Sequence, residues 1–399
     1  MQVQDLASLA LKCVIKNPHS AFPSPQHADS VRSPALRRRL IRGLSLAHAH
    51  ADALLPPAFF RGCGLRVLSF AGCSRVSPGY MLAACPPELL GLDVTSCFAL
   101  DDAALRGLLR ACPALRYLCV VDCRRLTEAA TRAMVELGGA LRHVDLGGCT
   151  SVSAAGVRAL VEAHGGARQF VGLGLSGVAG LGPELLGAVA ARCTRLQRLA
   201  LGYYAGPAAP LLELLRANAG SLVALECHWS AAANDDLAML LTGGDGAFKE
   251  LRLLNLQGAK AISLDGLCAI VNVHPRRAGA AQGEWDASDV LEWRALAGLP
   301  PKAMAEALAA SACVGASSGA SGRRQAAMRE EEEEEEEEEG GAGAEDQREA
   351  ATPTLLRKLG PGLAHLCCRF GCADGLALAS LKDHCHRQVQ AGAGAVVVD

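Results

Sequence analysis

The chain has 399 residues, half of them hydrophobic but only 4% aromatic, so its core must be built mainly from leucine, alanine and valine. The net charge of −2 includes ten consecutive glutamates, Glu330 to Glu339, and becomes +8 when these ten charges are removed. The remaining arginines are scattered at regular spacing, which is typical of solvated helix faces and argues against a nucleic-acid groove.

The first residues do not resemble a targeting segment. The start MQVQDLASLALKCVIKN has no basic beginning, and Lys12 interrupts its only apolar stretch. No stretch of 18 or more apolar residues is free of breaks, so we expect no membrane partner. We therefore expect a cytoplasmic or nuclear protein whose 17 cysteines are reduced thiols and not disulfides.

Residues 1–60 have two interpretations. Ser8, Leu9 and Cys13 resemble the elongin-binding box, although Asn17 stands where that box has an aliphatic residue. The segment 34–44 has apolar residues at helical spacing and is similar to an F-box helix, without the Leu-Pro-x-Glu opening and the later tryptophan. These apolar residues are Leu36, Leu40, Ile41 and Leu44. The region is either a degenerate ligase-recruiting box or a helical cap that covers the first repeat.

An internal repeat begins at residue 65. Four segments match the template L-x-x-L-x-L-x-x-C, and their ninth positions are Cys73, Cys97, Cys123 and Cys149. Four further segments, which start at residues 170, 196, 222 and 251, keep the apolar positions but lose the cysteine. The starts lie 24 to 29 residues apart, which is the period of a solenoid and not of a helical bundle.

Each repeat predicts one short strand and one helix. The L-x-L alternation predicts a strand with its leucines inward, and a small or thiol side chain at position nine can face the backbone amides of the following turn. Asp101, Thr127 and Ser153 stand where helix N-caps are expected. The predicted helices are Ala103–Ala111, Glu128–Leu137, Ala154–His164 and Pro183–Arg192. Such units stack into an α/β solenoid, with parallel strands on the concave side and helices on the convex side.

Units with this cysteine, together with the motif Ala111–Pro113, resemble the cysteine-containing leucine-rich repeats of F-box substrate receptors. The resemblance covers about residues 65–275. It implies a leucine-rich-repeat horseshoe and a scaffold whose concave or edge surface captures a protein.

The repeat is interrupted after residue 275 and then returns. Residues 276–350 include a Gly/Ala/Ser/Glu-rich acidic segment that is too polar to order itself, although Val290, Trp293 and Ala295 could form a degenerate unit. Leu363, Leu366 and Cys368 then match the strand template again. We therefore predict an N-terminal cap or box (1–60), a solenoid (61–275), an insertion (276–350) and a C-terminal repeat that continues the solenoid (351–390).

A group of cysteines and histidines near the end of the chain suggests zinc. Its members are Cys367, Cys368, Cys372, His384, Cys385 and His386. Only one residue separates His384 from His386, which does not fit a classical finger, and repeat packing explains Cys368 without metal. We therefore predict no metal site.

The motifs of enzymes and cofactor sites are missing from the sequence. There is no GxSxG, Walker or HExxH motif, so we predict a protein that is not an enzyme and has no cofactor. Two functions remain open. The first is a substrate receptor of an SCF-type cullin ubiquitin ligase, with the adaptor bound by the N-terminal region; the second is a recognition scaffold with no ligase link.

The outward strand positions form the predicted concave face for a protein client. They include Tyr117, Asp122, His143, Asp145, Arg198, Tyr203, Glu226, His228, Trp229, Asn255 and Gln257. Tyr203 and Trp229 share one template position in adjacent repeats, so we expect them to lie side by side and to anchor the partner. The alternative is that the insertion, or Phe370 from the last repeat, packs over them. Most outward positions of the fifth repeat are glycine or serine and offer little to grip.

Overall fold

The structure is a computed structural model that describes eight successive repeats and several short strands. The described residues are 31–43, 55–164, 170–243 and 248–273, together with the short strands 276–277, 365–367, 393–394 and 397–398. The predictions on the elongin-like box, the acidic run, the degenerate unit at 290–295 and the Cys/His group from residue 368 onward lie outside these residues.

Three-residue strands alternate with helices along the described chain. The first eight strands are β1 Val67–Ser69, β2 Gly91–Asp93, β3 Tyr117–Cys119, β4 His143–Asp145, β5 Gly172–Gly174, β6 Arg198–Ala200, β7 Ala224–Glu226 and β8 Leu253–Asn255. The helices are α1 Pro34–Gly43, α2 Pro78–Ala84, α3 Asp102–Ala111, α4 Glu128–Leu137, α5 Ala154–Ala163, α6 Pro183–Arg192, α7 Ala208–Ala217, α8 Asp235–Thr242 and α9 Leu264–Val273. None of the helices in the described ranges is long and apolar enough to cross a membrane.

Strands β1 to β8 form one parallel sheet in chain order. The register pairs the middle residue of each strand with the middle residue of the next, so that Leu68 faces Leu92 and Leu92 faces Leu118. Each repeat therefore contributes one strand to the sheet and one helix to the layer behind it. The protein is a leucine-rich-repeat solenoid, as the sequence predicts.

The sheet continues with a strand from the end of the chain. Strand β10, His365–Cys367, pairs in parallel with β8, and its Leu366 is the register partner of Leu254. Strand β12, Val397–Val398, pairs in turn with β10. The strands β9, Arg276–Arg277, and β11, Ala393–Gly394, form a separate antiparallel pair. Strand β10 is therefore the strand that the returning template predicts. The predicted domain boundaries remain a prediction.

The repeat cysteines form a buried ladder beneath the sheet. Cys97, Cys123 and Cys149 are fully buried, and Cys73 is 4% exposed. The thiol of Cys97 donates a hydrogen bond to the carbonyl oxygen of Phe70 in the preceding repeat, at 3.2 Å. Cys123 and Cys149 repeat this contact with the preceding repeat at 3.2 and 3.1 Å. The ladder ties consecutive repeats together and confirms that the cysteines occupy one column.

The sequence predicts that these thiols face backbone amides, but in the structure they donate to carbonyl oxygens. The amides of the turn are already used, since the N–H of Cys123 donates to the carbonyl of Val120 in its own repeat. Burial raises the pKa of Cys123 and Cys149 to about 12, so both thiols keep their protons. A protonated thiol is a donor and therefore takes a carbonyl oxygen as its partner.

The predicted helix starts are confirmed by their caps. The side chain of Asp101 accepts a hydrogen bond from the N–H of Ala104 at 2.9 Å, and Thr127 and Ser153 cap the next two helices in the same way. A cap residue also contacts the preceding repeat, because the hydroxyl of Thr127 donates to Asp102 at 2.7 Å. These contacts fix the spacing of the convex helices.

An aromatic cluster covers the open end of the first repeat. Phe59 and Phe60 lie in a 3₁₀ turn and are buried, and the ring of Phe60 lies 6.1 Å from that of Phe70. The hydroxyl of Tyr80 donates to the carbonyl of Leu55 at 2.6 Å, which holds this turn against α2. The predicted helix near residue 34 is present as α1. Residues 55–60 therefore cover the first repeat, while the assignment of residues 1–60 as a cap or a ligase-recruiting box remains a prediction.

Candidate protein-binding surface

The eighth template position has a positive φ in each of the eight repeats between residues 65 and 259. The angles lie between +53 and +74° at Gly72, Ser96, Asp122, Gly148, Gly177, Tyr203, Trp229 and Gly258. In most repeats the N–H of position nine donates a hydrogen bond to the carbonyl of position six. This bond closes a turn of four residues, and position eight is the third residue of the turn. A turn with a positive φ at its third residue is of the type II kind, and glycine is preferred there.

Two repeats place large aromatic residues in this backbone conformation. A left-handed φ costs an L-residue roughly 1–2 kcal/mol, and bulky side chains adopt it rarely. Tyr203 has a φ of +63° and Trp229 a φ of +53°, and their repeats are adjacent. The N–H of Tyr203 donates to the carbonyl of His228 at 2.8 Å, so the two turns lie side by side, as the sequence predicts. The structure adds that both aromatic residues are held in a strained conformation.

Both aromatic side chains are exposed. Tyr203 is 62% exposed and Trp229 is 41% exposed. The alternative that the insertion or Phe370 packs over them concerns residues outside the described ranges and stays open. Such large exposed aromatic residues on one face are typical of a surface that binds a partner.

The rings are accommodated by glycines of the neighbouring repeats. The imidazole of His228 lies over Gly202, and the indole of Trp229 lies over Gly258, so that a Cβ at either glycine would collide with the ring. His228 contacts the edge of the Tyr203 ring, with centroids 5.2 Å apart and planes at 86°. We call Tyr203, His228 and Trp229 the aromatic patch.

A buried ion cluster lies on the same face. The Nη2 atom of Arg198 donates to the carboxylate of Asp145 at 2.7 Å and to that of Glu226 at 3.1 Å. Arg198 is only 2% exposed, and both carboxylates are also buried. The cluster links β4, β6 and β7, and it skips β5 altogether.

The glycines of β5 make this cluster possible. Gly172 and Gly174 are the outward positions of that strand. His143 lies over Gly172 and Asp145 lies over Gly174, and a side chain at either glycine would collide with its neighbour. The glycines of the fifth repeat thus provide the space that lets Arg198 reach Asp145.

Burial controls the protonation of this face. It raises the pKa of Glu226 to about 7, although the Arg198 guanidinium opposes the shift. It also lowers the pKa of His143 to about 3, with a further lowering by Arg198. The pKa of His228 is likewise lowered by burial, and Asp145 opposes that shift. At neutral pH both imidazoles are therefore uncharged.

The structure places the outward strand residues at different depths. Five of them are buried: His143, Asp145, Arg198, Glu226 and Asn255. Asp145, Arg198 and Glu226 contact one another across the strands, which an alternating pattern does not reveal. His143 lies over Gly172 of the next strand. Tyr117 is half-buried and stacks on His143 at 4.4 Å. Asp122, His228 and Gln257 are also half-buried, which leaves Tyr203 and Trp229 as the exposed members of the predicted set.

The strain at position eight is the feature that sequence reasoning missed. Glycine stands at this position in four of the eight repeats. An alignment of the repeats on this position, in addition to the leucines, would have indicated a conformation that favours glycine. In the described ranges, no three histidine, cysteine or acidic side chains come together as a metal site requires.

Comparisons with known proteins bear on the fold alone. No protein-family model matches the chain, and no curated protein matches it in sequence. The chain is similar to a crystal structure of the Rad7 and Elc1 complex in yeast, with 15% identity, a TM-score of 0.43, and 68% of this chain and 78% of that chain covered. It is also similar to the leucine-rich repeat-containing protein LegL7 from Legionella pneumophila, with 11% identity, a TM-score of 0.28, and 62% and 69% covered.

The raised pKa of Glu226 predicts a pH-dependent effect of its replacement. Between the ordinary pKa of 4.5 and the folded value of about 7, the folded protein keeps a proton that the unfolded chain releases. The contribution of Glu226 to the free energy of unfolding therefore falls as the pH rises through this window. Glu226→Gln cannot ionise, so its stability relative to the wild type should be higher at pH 8 than at pH 5, as measured by urea unfolding.

The matched control for this comparison is Glu136→Gln. Glu136 is exposed, and its hydrogen bond with Arg106 lowers its pKa, so this variant should show no such gain at high pH. Asp145 and Arg198 lie beside Glu226 and are present in both proteins, so their own effects largely cancel in the difference. A Glu226→Gln effect that is equal at the two pH values would contradict a buried, proton-binding carboxyl group.

The strain at position eight predicts that replacing Trp229 by glycine changes the stability little, because relief of the strain offsets the lost packing of the indole. Trp229→Gly relieves roughly 1–2 kcal/mol of backbone strain, and the flexibility of glycine in the unfolded chain offsets roughly 0.5–1 kcal/mol of it. The free energy of unfolding should stay within about 1 kcal/mol of the wild type. Gly177→Ala is the reverse change, in a place where the nearest atoms to the new Cβ are 3.9 Å away, and it should lose about 1 kcal/mol. A Trp229→Gly variant that fails to fold would show that the indole belongs to the core.

Proposed function

We propose that the chain is a protein-recognition scaffold whose aromatic patch anchors a protein partner. The observation that carries the proposal is the strained, exposed pair of Tyr203 and Trp229 in adjacent turns. Strained conformations are concentrated at functional sites. Tyrosine and tryptophan are also the residues that most often dominate the binding energy of an interface.

The backbone strain and the exposure of Tyr203 and Trp229 favour a role in binding a partner over a role in stabilising the fold. Glycine occupies the same position in four repeats and avoids the strain, while the exposed rings recover only part of their possible burial energy. A partner that covers the two rings would bury the remaining apolar surface and offset the strain. The aromatic patch therefore has more to contribute to a complex than to the isolated protein.

The ion cluster supports this role by holding the strands beneath the patch. Arg198 connects β6 to β7 through Glu226, and the Tyr203 and Trp229 turns follow these two strands. A surface whose backbone is fixed in advance loses less entropy when it binds. The charged groups of the cluster are buried and paired with one another, so we assign them no catalytic step.

The cytoplasmic or nuclear location of the protein remains a prediction.

A second candidate function adds a link to a cullin ubiquitin ligase through the N-terminal region. The observation that favours it is the exposure of Leu36, at 42%, on α1, whose Ile41 is buried. The helix is thus held by one face and presents an apolar side chain on another. This surface would bind the ligase adaptor while the aromatic patch holds the client, in the arrangement of a substrate receptor.

Affinity capture with the full chain tests the recognition function. We expect Trp229→Gly to weaken retention of its main cellular partner by about 2 kcal/mol or more, which is roughly 30-fold in affinity, because it removes the anchor. Proteins retained by each variant are compared by quantitative mass spectrometry. Phe98→Ala removes another exposed aromatic side chain, which is 49% exposed, and should leave retention unchanged. Equal retention by wild type and Trp229→Gly would place the anchor elsewhere.

The same captures test the ligase link. If α1 binds the adaptor, the wild-type chain should retain a cullin together with its adaptor or an elongin, and Leu36→Asp should lose both while the client is kept. A charged side chain in an apolar contact is poorly tolerated, which gives the reason for the loss. Captures that contain the client but no cullin or adaptor would favour the scaffold without a ligase link.

A further inference from the structure

The concave face is acidic, in contrast to the rest of the protein. Positions three, five, seven and eight of the first eight repeats are the outward positions of the strands and the turns that follow. They carry four acidic side chains, Asp93, Asp122, Asp145 and Glu226, and one basic side chain, Arg198. Outside the run of ten glutamates, the whole chain has an excess of eight basic residues over acidic ones. A partner that fits this face by charge is therefore cationic.

The two large rings of the aromatic patch lean away from each other. The Cδ2 atom of Tyr203 lies 3.9 Å from the place of a Cβ on Gly177, so this ring leans toward the fifth repeat. The indole of Trp229 lies over Gly258 and so leans the other way, toward the eighth repeat. His228 lies between them, over Gly202 and against the edge of the Tyr203 ring. The rings thus lean apart on either side of an imidazole, and we call the space between them the opening.

The groups around this opening suit a positive charge. Burial lowers the pKa of His228, so its imidazole is neutral at pH 7 and does not repel a cation. Asp145 opposes that shift, so its carboxylate favours a positive charge at His228. The faces of tryptophan and tyrosine attract cations, and tryptophan does so most strongly.

We propose that the aromatic patch binds an arginine side chain of the protein partner, with its guanidinium between the rings of Tyr203 and Trp229. This inference rests on the proposed function and gives the chemistry of the partner. Arginine fits better than lysine because its planar guanidinium stacks on aromatic rings and is more weakly hydrated. The acidic concave face then attracts the basic segment that carries the arginine.

The test uses the full chain labelled with 5-fluorotryptophan. The chain has three tryptophans, and the fluorine resonance of Trp229 is identified as the one missing in Trp229→Phe. The probe is a nonapeptide of alternating glycine and arginine. Its controls are the same peptide with citrulline, which keeps the shape and loses the charge, and with lysine, which keeps the charge and loses the plane.

We expect the arginine peptide to shift the Trp229 resonance and to bind roughly five-fold more tightly than the citrulline peptide, as one cation–π contact would give. The shift should persist in Phe98→Ala, weaken at high salt, and be smaller with the lysine peptide. An unmoved Trp229 resonance, or equal binding of the arginine peptide and either control peptide, would overturn the arginine assignment.

The two proposals fail in different ways. If Trp229→Gly loses its captured partner but the arginine peptide leaves Trp229 unmoved, the patch recognises proteins by other chemistry and only the arginine assignment is lost. If Trp229→Gly retains every captured partner, the recognition function itself is wrong at this site.

Discussion

The in-register pairing of short parallel strands controls every other feature of this protein. Because Leu68, Leu92 and Leu118 are register partners, each template position forms a row across the sheet. A row of cysteines becomes a hydrogen-bonded ladder, and a row of turns shares one backbone conformation. Side chains in one row contact those of the adjacent strands, so a glycine in one repeat leaves space for a large side chain of the neighbouring repeat. The aromatic patch and the ion cluster both depend on this relation.

The fold could be predicted from the sequence because its signals are local. The leucine spacing gives the strands, and the polar residues before each helix give caps that the structure confirms at Asp101, Thr127 and Ser153. The pairing of Tyr203 with Trp229 also follows from the template alone. The returning strand near Leu366 was found in the same way, because its apolar pattern does not depend on what precedes it.

The burial of the concave residues could not be predicted from alternation. Whether Asp145 and Arg198 meet depends on the missing side chains of Gly172 and Gly174, which lie on a different strand from either of them. An ion pair that skips a strand has no spacing signature in one sequence. The strain at Trp229 was also hidden, because hydropathy carries no information on φ, although the glycines at the same position were a usable signal.

The addition of β10 to β8 has a consequence for how the solenoid folds. The first eight strands start 24 to 29 residues apart in the template register, while β10 starts at residue 365, which is 112 residues after the start of β8 at 253. Closing this longer connection costs about 1 kcal/mol more than closing an ordinary repeat, since the entropy of closure grows with the logarithm of length. In an array stabilised by contacts between neighbours, a costlier connection makes its junction the weaker one. We therefore expect the sheet to part between β8 and β10 before the other strands separate, and to join there last when the chain folds.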